Sequence, residues 1–138
     1  MFCLIIYHFS TIIYHLKEMK NILITGANGQ LGNEMRVLSA ENKEYTYFFT
    51  DVAELDICNA QAILDFVKTN DINVIVNCAA YTAVDKAEES IELCTKLNAD
   101  AVGYLAEAAE ANGAEFIQIS TDYVFDGTAH VPYQETEP

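Results

Sequence analysis

Three short runs carry residue types and spacings that can do chemistry. The first is Gly26-Ala27-Asn28-Gly29-Gln30-Leu31-Gly32, a G-x-x-G-x-x-G spacing directly after the apolar run Asn21 to Thr25. Glycines so placed between a strand and a helix can cradle a pyrophosphate. Gly26 permits the tight turn, Gly29 lets backbone approach phosphate oxygens without a Cβ in the way, and Gly32 lets the helix pack against the strand. Gln30 and Leu31 open the helix, whose free N–H groups and positive dipole end favour an anion. The second run ends in Asp51, about twenty residues past the glycines, where an acid can accept from adenosine ribose hydroxyls. A carboxylate there repels a 2′-phosphate, which leans toward NAD over NADP. The third run is Ser120-Thr121-Asp122, two hydroxyls and an acid after another apolar run. Each has an ordinary competitor. Glycine loops also make plain turns, and an acid at a strand end can simply be solvated. Ser, Thr and Asp are common capping and turn residues.

The elements that must position these runs follow from periodicity. Asn21 to Thr25 and Asn73 to Asn77 are short apolar runs without polar alternation, the pattern of strands covered on both faces. Tyr45 to Thr50, aromatic and β-branched, and Ala114 to Ser120 complete four strands. Between them, Leu31, Met35 and Leu38 recur at helical spacing, as do Ala60, Ile63 and Val67. Ile91, Cys94, Leu97, Ala101, Leu105 and Ala108 mark a long helix that should stop at Asn112-Gly113. The order β-α-β-α-β-α-β predicts an α/β fold, a doubly wound, Rossmann-like parallel sheet with helices on both faces. In such sheets ligands bind beyond the carboxyl ends of the strands, where Ser120-Thr121-Asp122 falls. From Thr121 to Pro138 there are turn signals, Asp126-Gly127 and Val131-Pro132, and no further helix or strand pattern. The dinucleotide-binding domain, residues 19–138, is therefore expected to be incomplete at its C-terminus.

Composition narrows the partners. Seven Lys+Arg against 21 Asp+Glu, a net charge of −14, argues against a nucleic-acid face and against docking on anionic lipid. Cys3, Cys58, Cys78 and Cys94 form no Cys-x-x-Cys pair, and no histidine stands at ligand spacing to them. No metal site is expected, and reduced thiols of a cytoplasmic protein are the default. Cys78, with no basic neighbour in sequence, reads as a small buried residue rather than a nucleophile. Lys86, Glu88 and Glu89 read as a solvated helix face. Residues 1–18 include an apolar run broken by His8, Ser10, Thr11 and His15, too short for a membrane span and unlike a secretory signal. Met19-Lys20 followed by a strand looks like an ordinary start, so the leader is read as an upstream extension. An added edge strand or a partner-binding flap is the second reading, and a membrane anchor the third.

From Met19 onward the sequence resembles the extended short-chain dehydrogenase/reductases, and within them the dTDP-4-dehydrorhamnose reductases. The residues that carry this are GANGQLG (26–32), Asp56-Ile57, NCAAYTAVDKAE (77–88), LNA (97–99) and STDYVFDG (120–127). The glycine loop is shared by the whole superfamily; the two longer motifs are far narrower. The resemblance implies hydride transfer from NADPH or NADH to the C4 keto group of a dTDP-sugar, dTDP-4-dehydro-L-rhamnose. It implies Gly29, Gln30 and Leu31 at the pyrophosphate, Asp51 at the adenosine ribose and Asp56 and Ile57 at the adenine. Ala80, Tyr81 and Thr82 would line the nicotinamide half. Thr121 would be the catalytic hydroxyl, and with Asp122 would hold the sugar nucleotide. A homodimer and a supporting Mg2+ are family traits with no ligand set visible here. One element departs from the family: none of the eight tyrosines has a lysine four residues on, so the Tyr-x-x-x-Lys general acid is missing from these 138 residues. The fragment alone is expected to be inactive. A non-catalytic dinucleotide-binding subunit, like the regulatory subunit of methionine adenosyltransferase, fits that loss too. Another sugar-nucleotide epimerase or reductase is a third reading.

Overall fold

The computed structural model describes residues 21–83, 86, 89–121, 125, 127, 128, 130, 132 and 133. The leader, residues 1–18, and Asp122 lie outside the described residues. The elements are β1 (Asn21–Thr25), α1 (Gln30–Glu41), β2 (Thr46–Phe49), α2 (Ala60–Thr69) and β3 (Val74–Asn77), followed by α3 (Ile91–Thr95), a π-helical turn (Lys96–Asp100), α4 (Ala101–Asn112) and β4 (Glu115–Gln118). The four strands form one parallel sheet in the order β2-β1-β3-β4. β1 pairs with β2 from Asn21↔Thr46 and with β3 from Ile22↔Val74; β3 pairs with β4 from Val74↔Glu115. This is the doubly wound, Rossmann-like α/β class that the element order predicts.

Side chains alternate across the sheet with a period of two, so each strand feeds two cores. Ile22, Ile24, Val74 and Val76 point to one face, where Met35 of α1 covers them. Leu23 and Ile75 point to the other, against Ile63 and Val67 of α2 and Ala101, Leu105 and Ala108 of α4. That second core is the larger because α2 and α4 pack on each other as well as on the sheet. Burial on both faces leaves Thr25 and Asn77, at the carboxyl ends of β1 and β3, as the buried polar residues of these two strands.

Local signals set the helix ends. Asn59 caps α2, its side-chain oxygen accepting from Ala62 N–H at 3.1 Å. α4 stops at Gly113, which takes φ +66° and donates its N–H to the carbonyls of Ala109 and Glu110. Two strands are shorter than the apolar runs that announce them. β2 pairs only over 46–49, although Thr50 N–H still donates to Ile24 C=O at 2.9 Å. β4 pairs only over 115–118, with Ile119 N–H reaching Asn77 C=O at 3.3 Å. Beyond these ends the chain leaves the sheet for the segments that follow β2 and β4. Among the described residues no helix is long and apolar enough to cross a membrane.

Candidate functional site

A cleft of about 300 Å³ opens at the carboxyl ends of β1, β2 and β3. Gly26 and Gly29 line one side, Asp51, Val52, Leu55, Asp56 and Ile57 the second, and Cys78, Ala79, Ala80 and Leu97 the third. Its position follows from topology: β1 lies between β2 and β3, and the connections leave it toward opposite faces, the switch point where open α/β sheets bind ligands.

The glycine loop is shaped by contacts that only glycine allows. Gly26 has φ +62°, and a Cβ there would stand 2.6 Å from the backbone of Ala79. Gly32, buried in the first turn of α1, would drive a Cβ into the carbonyl of Gly26 and the backbone of Ala27. Gly29 differs: it is extended at φ −75°, and a Cβ would meet only the Gly26 carbonyl, at 3.3 Å. It precedes α1 and supplies no side-chain cap, so the first-turn N–H groups of Gln30, Leu31 and Gly32 lack a capping partner there. Gln30 is exposed and Leu31 half-buried at this helix mouth.

Asp51 closes the loop from the β2 side. One carboxylate oxygen accepts from Asn28 N–H at 3.0 Å, the other from Val52 N–H at 2.8 Å. Its own N–H donates to Glu54 Oε2 at 2.9 Å. A bare strand-end carboxylate would make none of these bonds; Asp51 ties β2 to the glycine loop 23 positions earlier. Asp56 accepts from Cys58 N–H at 2.9 Å and so shapes the turn into α2. Ile57 beside it is buried in the larger core and shows one edge to the cleft.

The wall after β3 hangs from a polar cluster. Thr25 Oγ1 donates to Asn77 Oδ1 at 2.5 Å, Ala79 N–H donates to the same oxygen at 3.1 Å, and Asn77 Nδ2 donates to Gln118 Oε1 at 2.8 Å. Buried Asn77 thus links β1, β3 and β4 at the end where the cleft opens. Cys78 is largely buried, and burial pushes its thiol up to about 11, which suits a packed side chain and not a nucleophile. Beyond it Ala80 faces the cleft, Tyr81 is half-buried and Thr82 is exposed. Thr121 stands exposed past β4, at the same end of the sheet but not among the cleft-lining residues.

The structure therefore brings Gly26, Gly29, Asp51, Asp56, Ile57 and Ala80 together around one cleft, with Gln30, Leu31 and Gly32 at the helix mouth beside it. Sequence reasoning missed Val52, Leu55 and Leu97 as lining residues, because an apolar side chain in a cleft wall carries the same pattern as one in the core. It also left Asn98 aside, although Asn98 grips the backbone of Tyr81. Among the described residues no three potential metal ligands lie together.

A parallel sheet wrapped on both faces, with a glycine loop bent under a cleft at its switch point, defines a doubly wound α/β protein of the Rossmann-like class. The chain belongs to the family described as the RmlD substrate binding domain, which it matches over residues 19–138. It is 42% identical over 119 residues to the dTDP-4-dehydrorhamnose reductase of Aggregatibacter actinomycetemcomitans, a match covering 86% of this chain and 40% of that protein. The crystal structure of a dTDP-4-dehydrorhamnose reductase from Clostridium acetobutylicum superposes with a TM-score of 0.80 at 50% identity, over 86% of this chain and 42% of that one. The Bacillus anthracis dTDP-4-dehydrorhamnose reductase, solved in complex with NADP, gives 0.74 at 38% identity, over 81% and 40%. The chain thus spans about two fifths of the length of these relatives.

Proposed function

We propose that this chain is the cofactor-binding part of an NAD(P)H-dependent reductase of the cytoplasm that acts on dTDP-4-dehydro-L-rhamnose. The observation that carries the reading is the cleft itself: a side-chain-free floor at Gly26 and Gly29, an acid at Asp51 and a wall at Ala80, all at strand ends. The residues fit a dinucleotide. A Cβ at Gly29 would crowd the Gly26 carbonyl at 3.3 Å, and a Cβ at Gly26 or Gly32 would clash with backbone and destroy the loop. The first turn of α1 has no side-chain cap, and free N–H groups at a helix start favour an anion. Asp51 spends one lone pair per oxygen on Asn28 and Val52 and keeps others for ribose hydroxyls. Asp56 and Ile57 would flank the adenine, and Ala80, Tyr81 and Thr82 the nicotinamide half. The reduced nicotinamide, when bound, supplies a hydride. Thr121 would orient the C4 carbonyl of the sugar, with Asp122 holding the sugar nucleotide.

Titration of the 138-residue chain with NADH and with NADPH tests the cofactor assignment. Either should raise the melting temperature by mass action, by an amount that grows with ligand concentration. No shift with either at millimolar concentration overturns it. A chimera completed with the C-terminal part of the Clostridium acetobutylicum relative tests the activity. Turnover of dTDP-4-dehydro-L-rhamnose by that chimera supports the reductase, and cofactor binding without turnover points to a non-catalytic subunit.

A further inference from the structure

Asn-Gly occurs twice in the sequence, at Asn28-Gly29 and at Asn112-Gly113. Asparagine is a thermolabile residue, and a following glycine makes it more so. With no Cβ, glycine leaves its backbone nitrogen free to swing toward the side-chain carbonyl carbon of the asparagine. Attack there closes a five-membered imide and expels the side-chain nitrogen as ammonia. Water then opens the ring. Cleavage of the side-chain bond leaves aspartate. Cleavage of the main-chain bond leaves isoaspartate, in which the chain runs through the side-chain carbon and is one methylene longer. Either way one amide and one water become one carboxylate and one ammonium, with no oxidant or other co-reactant.

The fold treats the two pairs differently. Asn112 closes α4 half-buried, and its Nδ2 donates to Ile72 C=O at 2.9 Å. Gly113 beside it is fixed at φ +66°, with its N–H held by Glu110 C=O at 3.1 Å. Both reacting groups are thus tied down. Asn28 is exposed in the glycine loop, and its side-chain amide has no hydrogen-bond partner among the described residues. Gly29 is exposed too, and its N–H makes one turn bond, to Gly26 C=O at 3.0 Å. A single bond in an exposed turn opens at little cost in free energy.

We infer that Asn28 is a deamidation site, at which the glycine loop ages and loses its capacity for a dinucleotide. The backbone around it explains the loss. Asn28 N–H donates to Asp51 Oδ2 at 3.0 Å, and Asn28 C=O accepts from Asn33 Nδ2 at 3.1 Å. Aspartate at position 28 adds a second negative charge near Asp51, in the loop that faces a pyrophosphate. Isoaspartate does more. Its extra methylene falls between the Cα of residue 28 and Gly29, so the turn that returns Gly29 N–H to Gly26 no longer closes. The carbonyl that Asn33 holds becomes the free carboxylate. A bound dinucleotide pins Gly29 and slows the attack. The modification stands on the loop alone; its consequence rests on the cofactor reading above, and the test separates the two.

The 138-residue chain is aged in mildly alkaline buffer with and without NADH, and followed by peptide mapping and by NADH titration. Residue 28 should convert well before residue 112, and more slowly in the NADH-bound protein. Asn28→Asp, which carries the aspartate product from the start, should bind NADH at least about fivefold more weakly at an unchanged melting temperature, the scale of two unit charges repelling across an exposed site. Asn28→Gln, whose longer side chain would have to close a six-membered ring, should hold its starting NADH affinity through the same ageing. No conversion at residue 28, or conversion no faster than at residue 112, overturns the site. Conversion with undiminished NADH affinity overturns the consequence and leaves the cofactor reading standing. An equal loss of affinity in aged Asn28→Gln assigns the ageing to another residue and also overturns the consequence. No NADH binding by the fresh protein overturns the cofactor reading and the consequence together, and the peptide map at residue 28 then decides the modification alone.

Discussion

Gly26 and Gly29 sit three residues apart in one loop and do different work. Gly26 is held at φ +62° against Ala79, so Gly26→Ala combines a left-handed backbone with a backbone clash. The left-handed conformation alone costs roughly 1–2 kcal/mol for an L-residue. Urea denaturation should show a loss larger than that, or no folded protein. Gly29 has ordinary φ, and Gly29→Val should fold with a small loss of stability while abolishing the thermal shift by NADH. Equal destabilisation by both changes would place Gly29 in the fold rather than the ligand site. Asp51 has a double engagement, bracing Asn28 while facing the cleft. Asp51→Ala should weaken NADH by about tenfold, the scale of a hydrogen bond to a charged acceptor, and weaken NADPH less because a repulsive charge goes with it. Fluorescence titration with both cofactors checks this, and an unchanged affinity ratio would falsify the ribose assignment. Cys78 supplies a pH dependence. Its thiol is pushed by burial from the ordinary 9.0 to about 11. The unfolded chain therefore releases this proton first as pH rises, so stability is full below pH 9 and falls between 9 and 11. The loss approaches about 2–3 kcal/mol above that range. In Cys78→Ala the same pH series should be flatter by that amount, and parallel curves would show that the thiol is not desolvated.

At the scale of elements, much of the framework is readable from pattern alone. Four strands follow from short apolar or β-branched runs and the helices between them from helical spacing, and Gly113 ends α4 where its sequence position says it should. The glycine loop and Asp51 are legible too, because their spacing is tied to one backbone geometry. What is not legible is what a single residue does across elements. Nothing in a helical run of Leu97, Ala101 and Leu105 announces a π-turn, since the extra residue costs one hydrogen-bond register and leaves the apolar pattern nearly intact. Likewise Asn77 reads as the polar end of a strand, yet it is buried and serves β1, β3 and β4 at once. Its partners are 52 and 41 positions distant, beyond any local signal. That role makes a prediction about the sheet. Asn77→Ala leaves the Thr25 hydroxyl and Ala79 N–H without their acceptor, and each orphaned buried group costs about 1–3 kcal/mol. Denaturant titration should show a loss of at least that order, with the cleft loosened on its Ala79 side. A change below 0.5 kcal/mol, the range of an ordinary surface substitution, would mean that water replaces the amide freely.

At the scale of the whole molecule, the proposed function makes the described sheet the cofactor side of a reductase site. Thr121 stands exposed just past β4 and is the residue proposed to orient the carbonyl. Reduction of that carbonyl leaves charge developing on its oxygen, and a proton donor must meet it. In the family this donor is a tyrosine whose phenol is acidified by a lysine four residues on, and no tyrosine in these 138 residues has that partner. Tyr81, next in sequence to cleft-lining Ala80, is followed at that distance by Asp85. General acid catalysis typically supplies about 10²–10⁴-fold, and holding substrate in register supplies several kcal/mol more. The chain spans about two fifths of the length of its relatives. The 138-residue chain should therefore bind NADH yet show no reduction of dTDP-4-dehydro-L-rhamnose above background in a nicotinamide absorbance assay. The chimera completed from a relative should turn over, and Thr121→Ala in that chimera should lower kcat by 10-fold or more, within the usual range for losing a group that stabilises the developing oxyanion. Steady turnover by the isolated chain, free of contaminating reductase, would show that another acid serves the carbonyl, and Tyr123, two residues from Thr121, is the first to replace with phenylalanine.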